Sequence, residues 1–523
     1  MVDKQRLNTY RSINNWHNFR LRLFGEGILV GLVSGLVVGF FRFALNFVEA
    51  QRGLVYTYLA SHDWTMTLLW FFVLLLSAAL LHFLVAYEPL SAGSGIPQVK
   101  GAILGFIKMN WLRVLWTKLI GGIIGIGAGL SLGREGPSIQ LGAMAAQGIS
   151  RLFGRSRMEE RYLLTSGASA GLAAAFNAPL AGVIFSLEEL HHNFSAVVLL
   201  PAMAAALTST AVSQLIFSSA TIFNFVDLPV MPLRYFGLTI VLGVVLGVFG
   251  TIFNYCLINV SMFYRLPFFK NTFSRVSFAL VIAGILGFYL PQVLGGGSEL
   301  IETISQTRLS LTAISVVLCA KFIFTMLSYG SGVPGGFFLP MLVIGALAGN
   351  LTASLMSDWG FLNPYFHQDM VVFSMAAFFS ASVRAPITGT ILVMEMTGSF
   401  EHLFPLVIAS ISAYLTAEVF KNEPIYDRLL QRTLDGISRQ DKDAVPNKTR
   451  NIIELSIPSG CALDGRLIKN INWPEHTLLV DIKRGEKDLV PNGETLLLAG
   501  DYLYVLTDNA NASAVRGLAE GNR

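Results

Sequence analysis

The chain has 523 residues, of which 53% are hydrophobic and 13% are charged, about half the charged fraction of an ordinary soluble protein. This composition excludes a protein whose whole surface faces water, and a net charge of +4 gives no indication of nucleic-acid binding. The three cysteines, Cys256, Cys319 and Cys461, are too scattered to indicate a disulfide framework or a metal cluster.

The N-terminal segment, residues 1–24, is basic and precedes the first apolar run. That run is too long for the apolar part of a secretory signal, and no small-residue cleavage site follows it. Cations close to a first membrane helix favour the cytoplasmic side. We therefore predict that residues 1–24 lie in the cytoplasm. The cations are Lys4, Arg6, Arg11, Arg20 and Arg22.

Long apolar stretches predict an all-α, polytopic membrane domain over residues 25–427. A helix that spans a bilayer needs roughly 20 apolar residues. Gly, Pro or a charge interrupts the segments 92–106, 131–153 and 330–350. Broken helices at membrane depth persist only where their backbone packs in protein or lines a cavity, which is typical of transporters. The apolar stretches are about 27–49, 66–87, 111–130, 195–219, 234–261, 276–294, 311–328, 341–357, 370–396 and 403–420.

An internal repeat divides the membrane domain into halves of about 25–220 and 235–420. Three pairs of segments match in the same order along the chain, which chance does not readily produce. Such halves usually hold the substrate between them, near the midplane of the membrane. The pairs are 177–188 with 384–395, 137–145 with 340–348, and 93–97 with 330–334.

Three short Gly-rich loops lead into helical patterns, and each ends at a proline. Gly permits close approach of the backbone, and Pro is favoured at the start of a helix. A helix N-terminus presents free N–H groups and a positive dipole end, so it binds an anion without a full positive charge. Partial charges allow both binding and release. The alternative is that the loops are ordinary helix starts after tight turns. The loops are Gly93-Ser94-Gly95-Ile96-Pro97, Gly133-Arg134-Glu135-Gly136-Pro137 and Gly336-Phe337-Phe338-Leu339-Pro340.

In this order and spacing, the loops resemble the sequence motifs of the CLC family of chloride channels and chloride/proton antiporters. The resemblance covers roughly residues 25–430. It implies many tilted, partly broken helices arranged in two inverted halves. It also implies a homodimer in the lipid membrane, with one pore in each subunit, and chloride as the substrate without any cofactor.

The resemblance assigns the chloride-binding positions. Ser94 resembles the serine whose hydroxyl faces the central chloride; serine here is the family's choice for chloride over nitrate, and the fluoride-exporting branch departs from it. The backbone N–H groups of Phe337 and Phe338 resemble those that complete this site. Tyr426 resembles the tyrosine that donates from the intracellular side, although by itself it also suits an interfacial anchor.

Two glutamates resemble the proton-handling residues of the family. Glu135 resembles the gate that competes with chloride and receives protons, and an intramembrane carboxylate is a functional candidate by default; alternatively, it complements the dipole of its own helix. Glu189 resembles the internal proton-transfer glutamate, which favours antiport, or it is a solvated helix end. We expect Arg134 at the outer vestibule, Glu188 to hold water beside Glu189, and its repeat mate Glu395 to be structural.

Two other functions stay open. A passive chloride channel, gated by voltage or a ligand, would use the same scaffold. A membrane-embedded, metal-dependent enzyme is the alternative from a different class, because Glu188, His191 and His192 form a Glu-x-x-His arrangement on one helical face. A metal site would need ligands from elsewhere, and no HExxH motif stands out. We therefore expect neither enzyme activity nor a bound metal.

The chain becomes polar after about residue 421. Residues 428–450 are predicted to be a linker, and residues 451–523 a small cytosolic α+β domain with a helix near 464–472. This domain resembles the TrkA-C domain, the C-terminal subdomain of regulators of potassium conductance (RCK). The resembling segments are Glu454-Leu-Ser-Ile-Pro, Leu463-Asp-Gly-Arg-Leu-Ile, Val480-Asp-Ile-Lys-Arg-Gly, Leu489-Val-Pro-Asn-Gly-Glu-Thr and Ala499-Gly-Asp-Tyr-Leu-Tyr-Val.

The TrkA-C resemblance implies a dimerising domain that binds a small regulatory ligand, such as cyclic di-AMP in some bacterial transporters. A ligand phosphate would favour cations such as Lys483 or Arg484. The alternative is a passive dimerisation or folding module. The domain differs from the cystathionine-β-synthase pair of eukaryotic CLC proteins, which indicates a bacterial source. We expect a multi-pass protein of the plasma (inner) membrane with both termini in the cytoplasm.

Overall fold

The structure is a computed structural model, and it divides into two compact units, Met1–Leu434 and Asp435–Arg523. The first unit is helical, and the second contains a β-sheet. The described residues are 2–192, 196–218, 222–223, 225, 228–306, 309–441, 450–457, 461–484, 487–508, 511, 514–515 and 517–518. Only the backbone is described for 2–20, 196, 306, 438–441, 450–452, 454, 456, 487–488 and 508.

Eight helices form the first half of the membrane unit. Helix α1 begins at Val2, so residues 2–24 continue directly into the first membrane helix and form no separate segment. This stretch contains no Gly or Pro before Gly25, and those are the residues that disfavour a helix most strongly. The helices are α1 (Val2–Ala60), α2 (Trp64–Tyr87), α3 (Ile96–Ile103), α4 (Trp111–Gly127), α5 (Glu135–Leu152), α6 (Arg157–Phe176), α7 (Pro179–Phe185) and α8 (Ala196–Phe217).

The second half repeats this order of long and short helices, and one further helix, α17, follows it. Helix α17 covers the first part of the predicted linker, over residues 428–441, and residues 442–449 lie outside the described chain. The helices are α9 (Phe236–Phe263), α10 (Thr272–Tyr289), α11 (Ser298–Gln306), α12 (Leu311–Gly330), α13 (Phe338–Asp358), α14 (His367–Val383), α15 (Pro386–Thr397), α16 (Leu403–Val419) and α17 (Ile425–Asp441).

Eight helical segments of the described chain are long and apolar enough to cross a membrane. The predicted stretch 370–396 is not one of them, because it is divided between α14 and α15. Arg384 adopts a left-handed φ of 70° at the break, and the proline two residues later cannot continue the preceding helix. Asn177, with a φ of 54°, makes the equivalent break between α6 and α7. The segments are Leu21–Ala60, Trp64–Tyr87, Val197–Phe217, Leu233–Phe263, Thr272–Tyr289, Leu311–Gly330, Phe338–Asp358 and Phe400–Val419.

Two buried lysines fix the register of the repeat. Lys118 of α4 and Lys321 of α12 each donate to two carbonyls of a loop. The sequence separation between the two lysines equals, to within one residue, the separation between their acceptor carbonyls. Residues 93–97 therefore correspond to 295–299, and the predicted match with 330–334 is wrong. That match rests on a short Gly-Ser-Gly-x-Pro pattern alone. The acceptors are Ser91 O (2.9 Å) and Gly93 O (2.6 Å) for Lys118, and Val293 O (2.9 Å) and Gly295 O (2.8 Å) for Lys321.

The C-terminal unit contains a four-stranded antiparallel sheet in the order β1-β4-β2-β3. Its core includes the fully buried Ile482, Leu503 and Val505. The predicted helix near 464–472 is wrong, because that segment holds turns and a short 3-10 helix. Gly465 has a left-handed φ of 75°, which an α-helix cannot accommodate. The strands are β1 (Arg450–Ser456), β2 (Leu478–Arg484), β3 (Lys487–Leu489) and β4 (Asp501–Asp508), and the 3-10 helix is Ile468–Asn470.

Candidate ion-binding site

The three Gly-rich loops meet in the interior of the membrane unit and are joined by their backbones. Gly93 donates its N–H to Val333 O (3.2 Å), and Gly335 donates to Gly93 O (3.0 Å). Gly133 and Gly336 exchange two hydrogen bonds, of 2.5 and 2.9 Å. The segment 330–334, which the sequence suggests is a repeat mate of the first loop, is therefore its hydrogen-bonded neighbour.

Each loop delivers the N-terminus of a helix to this junction. Helices α3, α5 and α13 begin at Ile96, Glu135 and Phe338, so each loop's proline lies at the second or third helical position. Gly95 has a φ of 93° at the N-cap of α3, where a side chain would be strained. A Cβ on Gly136 would collide with Ser94 Oγ. Glycine at these two positions therefore lets the first two loops approach closely.

Three polar side chains at the junction are buried without hydrogen-bond partners of normal geometry. They are Ser94, Glu135 and Tyr426, whose exposed fractions are 1%, 0% and 0%. A buried hydroxyl without a partner typically costs about 1–3 kcal/mol, so such groups usually indicate a functional site or the binding site of a water or an ion. The two hydroxyls can donate, and a small anion is a ligand that would accept from both.

Aromatic rings place Tyr426 beside the start of α13. The rings of Tyr426 and Phe337 stack with centroids 5.4 Å apart and an interplanar angle of 26°. Phe338 packs on Phe176 and Phe379, at 5.5 and 5.0 Å. The first N–H groups of a helix have no acceptor within that helix. The N–H groups of Phe337 and Phe338 therefore have no acceptor within α13, and the ring of Tyr426 stacks beside the start of that helix.

Glu135 occupies a position suited to an anion. Its carboxylate packs against Gly133, at the junction of the second and third loops. The backbone N–H groups of Glu135 itself and of Leu339, at the starts of α5 and α13, stabilise its negative charge. The same donors would stabilise a chloride ion if the carboxylate moved away.

Arg134 lies beside Glu135 and is partly exposed. Its guanidinium donates to Asn46 Oδ1 at 3.1 Å. Arg134 also lines a small cavity together with Glu49 and Ser298. The cation thus borders the junction and makes no hydrogen bond to Ser94 or Tyr426.

Glu189 is buried and lies in an ion-pair cluster that the sequence analysis missed. Its Oε1 accepts from Lys100 Nζ at 2.9 Å, and the same nitrogen contacts Asp427 Oδ1 at 2.5 Å. Glu189 also interacts electrostatically with Tyr426. One signal could have indicated the cluster: Lys100 is the one charged residue in α3, and buried cations are almost always paired.

Glu188 caps a helix of the opposite half. Its carboxylate accepts from the N–H groups of Ile387 (3.3 Å) and Thr388 (2.7 Å) at the start of α15. Glu395 makes the reciprocal contact, because its carboxylate accepts from the N–H groups of Leu180 (3.1 Å) and Ala181 (2.8 Å) at the start of α7. The carboxylate of Glu188 therefore joins the two halves, a contact that the sequence analysis did not predict.

The Glu-x-x-His arrangement does not form a metal-binding group. His191 Nδ1 lies 3.4 Å from Thr165 Oγ1, whereas the carboxylate of Glu188 points to α15. Across the described ranges, no three His, Cys, Asp or Glu side chains are placed to hold a metal ion together. The arrangement of residues therefore gives no support to the metal-dependent enzyme.

In the C-terminal unit, Arg484 is already engaged. Its guanidinium donates to both carboxylate oxygens of Asp501, at 2.8 and 2.7 Å, and to Leu496 O at 2.6 Å. Burial of Asp501 opposes its charged form, but the hydrogen bonds from Arg484 and from the Leu498 N–H outweigh this, and the pKa of Asp501 is lowered. Arg484 therefore stabilises the sheet and is a weaker candidate for a ligand phosphate than the sequence suggested.

Broken helices in two related halves, with N-termini converging on buried hydroxyls and carboxylates, define a multi-pass membrane protein with a candidate ion site in its interior. Residues 72–418 match the family model described as voltage gated chloride channel, and residues 452–519 match the TrkA-C domain. The chain therefore belongs to the voltage gated chloride channel (CLC) family and carries a TrkA-C domain.

Relatives and solved structures agree with this assignment. The chain is 36% identical over 433 residues to the H(+)/Cl(-) exchange transporter ClcA of Vibrio cholerae, covering 80% of this chain and 91% of the relative. It is 36% identical over 418 residues to ClcA of Klebsiella pneumoniae, covering 78% and 88%. A slow cyanobacterial Cl-/H+ antiporter superimposes with a TM-score of 0.76 at 31% identity, covering 80% of this chain and 99% of that one. A CLC-type fluoride/proton antiporter gives a TM-score of 0.62 at 25% identity, covering 76% and 95%.

Proposed function

We propose that this protein is an antiporter that moves chloride across the membrane in exchange for protons. The observation that carries the proposal is the convergence of Ser94, Tyr426 and Glu135 at helix N-termini, with their polar atoms buried and without partners of normal geometry. Chloride would accept hydrogen bonds from the two hydroxyls, and the N–H groups of Phe337 and Phe338 would complete its coordination.

Competition between Glu135 and chloride provides the coupling. The N–H groups of Glu135 itself and of Leu339 stabilise the ionised carboxylate, and the Leu339 N–H adjoins the Phe337 and Phe338 N–H groups proposed to bind chloride. A proton on the carboxyl removes its charge, so the side chain leaves and chloride replaces it. The displaced side chain then releases its proton to the outer solution, and the ionised carboxylate returns to its former position. One group thereby links the movements of the two ions.

Glu189 supports proton exchange over passive conduction. It is a buried carboxylate close to Tyr426, and a channel that conducts chloride alone has no need of a second internal acid. The relatives named as exchange transporters support the same choice. Serine at position 94 supports chloride over fluoride as the substrate, on the resemblance described above. A passive channel on the same scaffold is the alternative function.

The assembly and its location are further parts of the proposal. We place the protein in the plasma (inner) membrane of a bacterium, as a homodimer with one pore in each subunit and with both termini in the cytoplasm. The TrkA-C domain is proposed to bind a small regulatory ligand, for which cyclic di-AMP is the first candidate. The family of the chain and the match over residues 452–519 support these points.

Proton movement in liposomes tests the proposal. Purified protein is reconstituted, a chloride gradient is imposed, and the voltage is clamped with potassium and valinomycin. Antiport predicts that protons move against their own gradient while chloride runs down its gradient. Glu189→Gln is expected to slow proton movement strongly and to leave chloride movement. Chloride flux with no proton movement in the unmodified protein would establish the channel instead.

A further inference from the structure

One ammonium group lies between two carboxylates on the side of the site that faces α17. Lys100 Nζ is 2.9 Å from Glu189 Oε1 and 2.5 Å from Asp427 Oδ1. The side chains of Lys100 and Glu189 are 1% and 4% exposed, whereas that of Asp427 is 36% exposed. The cluster therefore runs from a buried acid to an acid in contact with solvent.

The three residues come from separate elements, and two of them adjoin chloride-binding positions. Lys100 lies in α3, the helix that follows Ser94, and Asp427 directly follows Tyr426 in α17. Glu189 lies in a π-helical segment, Ser186–His191, that extends α7. Such segments are rare and frequently occur at functional sites. The fold thus joins all three groups at one point beside the proposed anion pathway.

We propose that Asp427 takes up protons from the cytoplasm and that Lys100 passes them to Glu189. This inference rests on the proposed antiport. A proton on the Asp427 carboxyl moves to Lys100 Nζ as a different Nζ proton moves to Glu189 Oε1. Asp427 ends as a carboxylate, Lys100 again as an ammonium, and Glu189 as a neutral acid. No other bond forms or breaks, and both distances are within reach of direct proton transfer.

Lysine has the chemistry that this role requires. A buried lysine can lose a proton and act in catalysis, whereas arginine stays charged in proteins. An arginine at position 100 would therefore keep the ion pairs and stop the transfer. This difference separates a relay from a lysine that only holds the two acids in place.

Two neighbouring groups could compete for the same role. His192 interacts electrostatically with both Lys100 and Asp427, and Glu188 interacts with Glu189. The Glu188 carboxylate is held by the N-terminus of α15, at 2.7 Å from the Thr388 N–H. His192 is therefore the alternative that the experiment has to separate from Asp427.

The test measures proton and chloride movement in liposomes for Asp427→Asn, Lys100→Arg and His192→Asn. We expect the first two to slow proton movement at least tenfold and chloride movement less than twofold, and His192→Asn to behave like the unmodified protein. Glu423→Gln is the matched control, because Glu423 also lies next to the start of α17, is 54% exposed and pairs with Arg428. Should Asp427→Asn not yield folded protein, Asp427→Ser replaces it.

Each result has a defined meaning. If the unmodified protein moves protons against their gradient but Asp427→Asn and Asp427→Ser do so equally well, the proposal is wrong. An active Lys100→Arg would show that Lys100 positions Glu189 and relays nothing. A loss confined to His192→Asn would make the histidine the site of uptake. If the unmodified protein moves no protons, antiport itself fails, independently of the relay.

Discussion

The proposed exchange gives Glu135 two roles, as a ligand and as a gate. Its charge is stabilised by N–H groups at the starts of α5 and α13, the same type of donor that a small anion requires. Full burial makes its ionisation sensitive to what else occupies the junction. Two negative charges cannot share one small set of donors without strong repulsion, and the proposed coupling rests on this mutual exclusion of carboxylate and chloride.

Replacing Glu135 with glutamine removes the titratable group and keeps the size of the side chain. We expect proton movement to fall by about 100-fold or more, which is the usual contribution of a positioned acid or base, while chloride still crosses. The measurement is the ratio of proton to chloride flux in liposomes. Glu302→Gln is a suitable control, because Glu302 is exposed on α11. A Glu135→Gln variant that retains the normal ratio would remove Glu135 from the mechanism.

From the sequence, Ser94 and Glu135 are candidates because they lie in Gly-rich loops that lead into helices, and Tyr426 is one because it resembles the tyrosine of the CLC family. The sequence did not identify Lys100 or Asp427. Their contact depends on how α3, the segment after α7, and α17 pack together, and no local pattern encodes that packing. The contact of Glu188 with α15 was missed for a related reason, since a carboxylate at a helix end has the same sequence context whether or not it caps a distant helix.

Helices α7 and α15 are tied together by the exchange of carboxylates between their ends. Glu188 caps α15, and Glu395 caps α7, at nearly the same positions relative to each proline. A reciprocal contact of this kind is typical of two-fold symmetry, here between the two halves of one chain. The sequence repeat predicted the equivalence of the two glutamates, and the structure shows the contacts that they make.

Removing one of these caps should destabilise the membrane unit without changing the ion site. We expect Glu395→Ala to lower stability by about 1–2 kcal/mol, because the N–H groups of Leu180 and Ala181 lose their acceptor. Thermal unfolding of the detergent-solubilised protein, followed by the loss of the intact peak in gel filtration, measures this. Glu302→Ala serves as the control. Equal thermal stability of the two variants would contradict the capping role.

The molecule as a whole separates ion transport from the proposed ligand sensing. All assigned ion-site side chains lie between residues 93 and 427, within the unit Met1–Leu434. The sequence predicted both domains because their composition differs. It did not predict the helix over residues 428–441 or the turns at 464–472, because composition does not determine the backbone geometry of these segments.

A chain that ends at Asp441 should therefore still exchange chloride for protons in liposomes. Any response to cyclic di-AMP should disappear with the C-terminal unit. The measurement compares proton and chloride fluxes of the full and shortened chains, with and without the nucleotide. A shortened protein that elutes as intact in gel filtration but moves no chloride would show that the ion site depends on the C-terminal unit.

The two halves of the repeat carry different side chains at two equivalent positions. By the register of the two buried lysines, Ser94 corresponds to Gly296, and by the spacing of α5 and α13, Glu135 corresponds to Phe338. The second half thus has the same frame but carries neither the hydroxyl nor the acid. Two inverted halves of identical sequence would make the two faces of the membrane equivalent, so differences in side chains such as these distinguish one face from the other. Vectorial transport here would arise from a difference in side chains built on a nearly symmetric frame.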